Sequence, residues 1–127
     1  MKKKKLPINQ LQLAGTIAGQ VQVRYSPSGI GHAEFSFEHR SMQYEGLLSR
    51  QAYCKIRAVV SGDLFTKQSS ELQPDAQLIL MGFLSVRQLR GGAQEMVFYV
   101  QHLELSKESQ NDQQEASSNS TMAQEIL

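Results

Sequence analysis

The stretch that decides the fold is LQLAGTIAGQVQVRYSPSGIGHAEFSFEHR, residues 11–40. Its first half alternates apolar and polar residues, which is the two-residue period of a strand with one buried face. Gly15 and Gly19 interrupt the alternation, as glycine does where a strand bulges or bends. Ser26-Pro27-Ser28-Gly29 is typical of a turn, because proline presets φ and glycine tolerates a positive φ. The stretch therefore predicts a long, bent first strand that turns into a second one.

The rest of the domain continues this strand pattern. The second strand, residues 32–40, has Phe35 and Phe37 on one face and acidic or hydroxyl side chains on the other. Polar residues 41–50 predict a loop, and residues 61–73 suit a short helical turn. The last three strands are predicted at residues 51–60, 77–87 and 95–105, with a hairpin tip at Arg90-Gly91-Gly92. Five strands with a bent first strand predict an all-β, five-stranded OB-fold barrel, a fold that binds oligonucleotides. An SH3-like barrel has a similar pattern and stays an alternative.

The chain divides into a basic lead (1–8), a strand-rich domain (9–105) and a polar tail (106–127). The lead contains a run of lysines, and the tail has no aromatic residue, so we expect both to be disordered. Cys54 is the single cysteine, which excludes an internal disulfide and suits a reducing compartment. No apolar run is long enough to span a membrane. These features predict a cytoplasmic protein with no membrane association.

The charge of the chain does not by itself indicate a nucleic-acid binder. The formal net charge is +1, and acidic and basic residues are equal in number between residues 6 and 105. Binding domains for nucleic acids are usually basic. Any such function therefore depends on where the basic residues lie. Six of the eight between residues 6 and 105 are arginine, which stacks on bases and binds phosphate in a bidentate manner.

The third strand carries the pattern most suggestive of binding. Alternation places Tyr53, Lys55 and Arg57 on one face, and it places Cys54 and its apolar neighbours at every second position on the core face. An aromatic ring beside cations is the combination with which single-strand binders stack bases and hold phosphates. Arg40 and Arg50 lie close to this face in the predicted sheet. The alternative is an ordinary solvated strand face with one partly covered tyrosine.

The last two strands suggest two further surfaces. Arg87 and Arg90 lie at a glycine-containing hairpin, where they can follow a phosphate backbone or form a plain solvated turn. Apolar residues also occupy both faces of these strands, whereas a barrel strand has one inner face. We expect Leu103 and Phe98 to lie on opposite faces of the last strand. We also expect the second apolar face to be covered by another copy of the chain in a homodimer. Coverage by the chain's own loops is the alternative.

Catalysis has little support in the sequence. The histidines lack metal-ligand spacing with one another or with Cys54, and no nucleophile, phosphate-loop or metalloprotease motif is present. The glycine-containing segment 28–31 connects two strands, so it lacks the helix N-terminus that a phosphate cradle uses. We therefore expect no catalytic residue, no bound metal and no cofactor.

Several segments resemble a known family. The runs Ser26-Pro27-Ser28-Gly29-Ile30, Glu38-His39-Arg40-Ser41 and Arg50-Gln51-Ala52-Tyr53-Cys54 are similar to the signature region of the primosomal replication protein N (PriB) family. The resemblance covers about residues 9–105. The single-stranded DNA-binding protein (SSB) family shares the fold and is the nearest alternative. Its acidic Asp-Pro-Phe-type tip is not matched by the C-terminal residues of this chain.

The resemblance implies a dimeric OB-fold protein that binds single-stranded DNA and helps to reassemble the replication machinery at stalled forks. The partners that it implies are the helicase PriA, the protein DnaT and, as a further candidate, SSB. The family's stacking position falls on Tyr53, and its basic positions fall on Arg24, Arg40, Arg50 and Arg90. Two other positions that are commonly lysine in the family are Gln88 and Glu95 here, which implies weaker phosphate binding unless Lys55, Arg57 and Arg87 compensate.

Two other functions remain open at the level of sequence. The neutral domain and the two missing lysines favour an OB-fold adaptor that binds proteins and has little affinity for DNA. A small RNA-associated OB-fold protein is the other alternative, because OB-folds also bind RNA.

Overall fold

The computed structural model describes residues 6–106, and five strands account for most of them. In chain order the elements are β1 (Leu11–Tyr25), β2 (Gly31–Glu45), β3 (Leu48–Ser61), the helix α1 (Gly62–Gln68), β4 (Gln77–Gln88) and β5 (Gln94–Leu105), with 3-10 turns at Ser69–Glu71 and Arg90–Gly92. The predicted helical turn and hairpin tip are thus confirmed. The predicted disorder of the lead and the tail falls largely on residues 1–5 and 107–127, which lie outside the described residues.

The strands close into a barrel in the order β1-β2-β3-β5-β4. Closure is possible because β1 serves two neighbours: its first half pairs with β4 and its second half with β2. The register with β2 shifts between Ala18 and Gln22, where Gly19 has a φ of 79°. At Gly15 a Cβ atom would overlap the carbonyl group of Glu38, so only glycine allows the two strands to approach there. The predicted bend of β1 and the predicted all-β, five-stranded OB-fold barrel are therefore confirmed.

One apolar core fills the barrel. Its fully buried side chains include Ile17, Phe35, Phe37, Leu78, Leu80, Phe98 and Leu103. Each large apolar side chain buried in this way stabilises the fold by about 1.5–3 kcal/mol. Helix α1 closes the end of the barrel at which β3 finishes, where Phe65 packs edge-on against the ring of Tyr25 at 6.3 Å between ring centres.

The prediction of a loop at residues 41–50 is wrong. Strands β2 and β3 continue as a two-stranded ribbon to the pair Glu45 and Leu48, joined by Gly46 and Leu47. The ribbon between residues 41 and 52, here called the arm, extends beyond the strand pairs that close the barrel. Because nearly every side chain of the arm is exposed, its sequence has no period-two pattern of burial to reveal the strands.

The expectation that Cys54 is a core side chain is also wrong, since Cys54 is exposed. Cys54 nevertheless has the predicted phase on β3, because it lies on the same face as Ile56 and as the buried Ala58 and Val60. The pairing of β3 with β5 begins only at Arg57, however, so Cys54 lies beyond the closed part of the barrel. The sequence gives the face of a residue but does not show where along the strand the barrel ends.

The prediction that Leu103 and Phe98 lie on opposite faces of β5 is wrong as well, because both side chains belong to the core. A register shift after Met81 leaves Gln101 as an extra residue in β5 and reverses the phase of the strand. On the outer surface Phe83 and Tyr99 stack on each other at 5.3 Å between ring centres, and both are partly covered. Dimerisation through this outer surface stays a prediction.

Candidate nucleic-acid interface

Two hairpins project from the same end of the barrel. Strands β3 and β5 run parallel, with Arg57 paired to Val97 and Val60 paired to Val100, so both strands begin at the same end. The arm, which leads into β3, and the Arg90–Gly92 tip, which leads into β5, therefore stand side by side. This end of the barrel is opposite the end that α1 closes. The outer faces of β2 and β3 run from it along the side of the barrel.

The sheet brings the predicted basic and aromatic residues of β2 and β3 onto this surface. The register pairs Arg40 with Tyr53, Glu38 with Lys55 and Ser36 with Arg57. The interleaved residues Phe35 and Phe37 are fully buried, so the opposite face of β2 is the outer one. The predicted outward orientation of Tyr53, Lys55 and Arg57 is consistent with this register, since each is paired with an outward residue of β2.

Tyr53 has the geometry of a stacking residue. Its side chain is 49% exposed, and the guanidinium carbon of Arg40 lies 4.3 Å from the centre of its ring. The hydroxyl donates a hydrogen bond to Oε2 of Glu38 at 3.1 Å, and this bond raises the pKa of Tyr53 above its usual value. The ring is therefore neutral at physiological pH and is held by a cation on its face and by a carboxylate at its edge. We refer to Tyr53, Arg40 and Glu38 as the stacking site.

Three other predicted basic residues are exposed on β3, on the arm and at the tip between β4 and β5. Lys55 is exposed on β3 next to Glu38, and Arg90 is exposed at the tip between β4 and β5. Arg50 belongs to the arm but has the opposite phase from Tyr53, and its Nε lies 2.7 Å from Oε1 of Glu45. Both partners of this ion pair are 70% exposed, and such pairs are weak. Arg50 can therefore exchange its carboxylate for a phosphate at little cost.

Arg24, Arg57 and Arg87 are placed differently, because carboxylates already bind them. Arg87 donates two hydrogen bonds to Glu34, at 2.9 and 2.8 Å, and one to Glu95 at 2.9 Å. Arg24 donates to Glu34 at 2.9 Å, and Nε of Arg57 lies 3.5 Å from the same carboxylate. Each of the five strands contributes one residue to this network, which we call the arginine cluster: Arg24, Glu34, Arg57, Arg87 and Glu95.

Glu34 is the centre of the arginine cluster. It is the one buried charged residue among those that the structure describes, at 7% exposure. Its hydrogen bonds with Arg87 lower its pKa, and the charges of Arg87, Arg24 and Arg57 act in the same direction against the cost of burial. Hydrogen bonds to Glu34 and Glu95 raise the pKa of Arg87 further above its usual value. Glu34 and Arg87 therefore both stay ionised throughout the neutral range.

The sequence prediction did not include the three acids that organise this surface. The sequence indicates Glu34 and Glu38 only as outer-face residues of the second strand, and Glu95 only as a position that is commonly lysine in the family. A signal for Glu34 and Glu38 was available, because strand alternation places them on the same face as the arginines. A signal for the contact between Glu34 and Arg87 was not, because it joins residues 53 positions apart through the closure of the barrel.

The histidines have structural partners in this fold. Nδ1 of His39 lies 2.6 Å from the carbonyl oxygen of Ala14, and its Nε2 lies 2.6 Å from Oγ of Ser41. Nδ1 of His32 lies 2.7 Å from Oγ of Ser61. Between residues 6 and 106 there is no group of three or more metal-ligating side chains. Within the same range no helix is long and apolar enough to cross a membrane.

Comparison with known proteins identifies the family. Residues 9–102 match the family model described as "Another single-strand binding protein family". The chain is 37% identical over 97 residues to the replication restart protein PriB of Photorhabdus laumondii, covering 76% of this chain and 92% of that protein. It is 39% identical over 98 residues to PriB of Pectobacterium carotovorum, covering 77% and 92% respectively. The chain belongs to the PriB family.

Solved structures agree with membership of the PriB family. PriB from Ralstonia solanacearum superposes with a TM-score of 0.65 at 26% identity, over 78% of this chain and 98% of that one. The SSB of Plasmodium falciparum, solved in complex with single-stranded DNA, superposes with a TM-score of 0.67 at 16% identity, over 84% and 100%. The second likeness shows the fold alone. Together they place this PriB relative among OB-fold proteins.

Proposed function

We propose that this protein is a non-catalytic, single-stranded DNA-binding accessory factor of replication restart. The observation that carries the proposal is the stacking site: a half-exposed Tyr53 at the base of the arm of an OB-fold, with the Arg40 guanidinium over its ring. The matched relatives, which are named replication restart proteins, support the biological setting.

In this proposal one base stacks on Tyr53 and the neighbouring phosphates contact nearby cations. Arg40 and Lys55 lie beside the ring on the sheet, while Arg50 on the arm and Arg90 on the opposing tip hold the strand from either side. Stacking accepts any base, because every base has a π-face, and phosphate contacts carry no sequence information. We therefore expect binding with little sequence preference and a strong dependence on salt.

Arg24, Arg57 and Arg87 are also predicted to bind DNA, and we propose that they do so only where a phosphate displaces Glu34. Their guanidinium groups lie on the same outer surface, so a bound strand could reach them. In the free protein, however, each is within 3.5 Å of a Glu34 oxygen. A phosphate must therefore compete with an internal carboxylate at these three positions.

We further propose that the protein acts in the cytoplasm as a homodimer and cooperates with PriA, DnaT and SSB. Two copies would present two stacking sites, and linked sites gain affinity through effective concentration. The partly exposed apolar side chains on the outer face of β4, namely Ile79, Met81 and Phe83, are the area that supports the dimer proposal.

The test is a fluorescence-anisotropy titration with labelled oligo-dT in low and moderate salt. The proposal predicts saturable binding that weakens with salt, because cations of the protein displace condensed counterions from the DNA. A duplex of the same length and an RNA of the same sequence are the competitors, and we expect both to compete less well. Absence of binding at low salt would overturn the proposal.

The protein–protein adaptor is the second candidate, and one observation favours it. Three of the outward arginines are neutralised within the molecule, which reduces the charge available for phosphate. The same titration separates the two candidates, since an adaptor gives no salt-sensitive binding.

A further inference from the structure

A groove beside the arginine cluster is lined by the types of side chain that bind single-stranded DNA. The groove has a volume of about 410 Å³, and the residues lining it include Arg24, Tyr25, His32, Glu34, Arg87 and Tyr99. Tyr25 is 68% exposed, so its ring is accessible from solvent. Two arginines and two tyrosines in one groove are the types of residue that hold phosphates and bases.

The groove differs from the stacking site in one respect, which is that its guanidinium groups are already bound to an anion. Both oxygens of Glu34 accept hydrogen bonds from Arg87, and one of them also accepts a hydrogen bond from Arg24. Arg40, by contrast, lies over an aromatic ring. The two surfaces therefore have similar residue types but different charges available to a phosphate.

We propose that Glu34 is an internal competitor of phosphate that keeps the groove closed to single-stranded DNA and confines the strand to the stacking site. The inference rests on the proposed function and adds a residue that determines the path of the strand. Glu34 suits this role because it is buried and paired with arginines of three other strands, so its carboxylate is positioned before any ligand arrives. A phosphate from solvent must displace a partner that is part of the fold.

The three arginines depend on Glu34 to different degrees. Arg24 has Glu34 as its one carboxylate partner among the described residues, and its side chain is 67% exposed. Arg57 retains only a distant contact with Glu95, at 3.9 Å, if Glu34 is neutralised. Arg87 retains its hydrogen bond with Glu95 at 2.9 Å. Removing the charge of Glu34 therefore frees Arg24 fully and Arg57 largely.

The test compares the substitution Glu34→Gln with two variants that change the charge equally. Glu95→Gln alters the same cluster, but every arginine keeps Glu34. Glu104→Gln alters an exposed acid on β5 whose ion partner is His102, away from the arginines. A general electrostatic effect would appear in all three variants, whereas release of the arginines would appear in Glu34→Gln alone.

We expect Glu34→Gln to bind oligo-dT more tightly and with a steeper dependence on salt. Each phosphate contact adds about 0.7 to the slope of log K against log salt, which is roughly a fivefold gain in affinity at 0.1 M salt relative to 1 M. One or two released arginines should therefore steepen the slope by about 0.7–1.4 relative to the wild type. If the wild type binds and all three variants show the same slope, the inference is overturned while the proposed function stands.

A second probe keeps the two proposals separate if the wild type does not bind DNA. Inorganic tripolyphosphate tests the arginines without any base, by the shift that it causes in the thermal unfolding midpoint. A larger stabilisation of Glu34→Gln than of the wild type and Glu95→Gln supports the inference even in that case, because the arginines outside the cluster bind tripolyphosphate equally in all three. An equal shift of the midpoint in all three proteins, or no shift in any of them, overturns it.

The wild type offers a measurement that does not depend on whether Glu34→Gln folds. In the NMR spectrum of arginine Nε–Hε groups, added oligo-dT, or tripolyphosphate if DNA does not bind, should shift the signals of Arg40 and Arg90. The signals of Arg57 and Arg87 should stay unchanged. Equal shifts of the cluster signals would show that phosphate reaches these arginines in spite of Glu34, and would overturn the inference.

Discussion

Replacement of Tyr53 by alanine is the sharpest perturbation of the proposed interface. The ring is half exposed, the guanidinium carbon of Arg40 lies 4.3 Å from its centre, and Glu38 accepts a hydrogen bond from its hydroxyl. One base stacked on an aromatic side chain is worth about 1–3 kcal/mol in single-strand binding. We therefore expect Tyr53→Ala to weaken the binding of oligo-dT on the order of 5- to 150-fold.

Two matched variants separate stacking from positioning. Tyr53→Phe keeps the ring but loses the hydrogen bond to Glu38, so its affinity should lie close to that of the wild type. Glu38→Gln keeps an acceptor for the hydroxyl and removes a negative charge beside Lys55, so its affinity should be equal or higher. A loss in Tyr53→Phe as large as in Tyr53→Ala would show that the hydroxyl, and not the ring, makes the contact.

The assay is the anisotropy titration, combined with a thermal melt of each variant. An exposed ring contributes little to the core, so the unfolding midpoint of Tyr53→Ala should stay close to that of the wild type. Unchanged affinity together with a clearly lowered midpoint would refute the reasoning. The ring would then serve the fold, and the binding surface would have to lie elsewhere.

Four further predictions follow from the same surfaces. Arg40→Ala should reduce the salt slope of oligo-dT binding by about 0.7, which titrations at several salt concentrations measure. Because the pKa of Glu34 is lowered in the fold, its ion pairs stabilise the protein above the pKa of the unfolded state and are lost as pH falls through the folded value, so acid melts of wild type and Glu34→Gln should converge. Removal of residues 106–127 should change neither the melting midpoint nor DNA affinity. Sedimentation at micromolar concentration should give twice the chain mass, and a monomer would contradict the proposed dimer.

Much of the fold could be predicted because the sequence repeats one physical signal. Burial alternates clearly along the first half of β4, and Phe35 and Phe37 show the inner face of β2 directly. The arm carries no such signal, because both of its faces are exposed and its backbone hydrogen bonds are independent of side-chain type. The extra residue near Gln101 is likewise absent from the pattern, since a bulge reverses the phase without any characteristic residue.

The candidate site was predictable in composition but not in pairing. Outward alternation indicated Tyr53, Lys55 and Arg57 as a group, and the register agrees with that grouping. Which arginine pairs with which acid depends on contacts across the closed barrel, such as that between Arg87 and Glu34. The sequence separation of those residues gives no indication that they meet.

The most direct test of the central claim is photo-crosslinking with oligo-dT that carries 5-bromodeoxyuridine, followed by mass spectrometry of the crosslinked peptides. The claim is that single-stranded DNA lies between the arm and the Arg90–Gly92 tip, with a base on Tyr53. We predict a crosslink at Tyr53 that is lost in Tyr53→Ala and reduced by salt. Crosslinks confined to the far end of β5, around His102 and Glu104, would contradict the account.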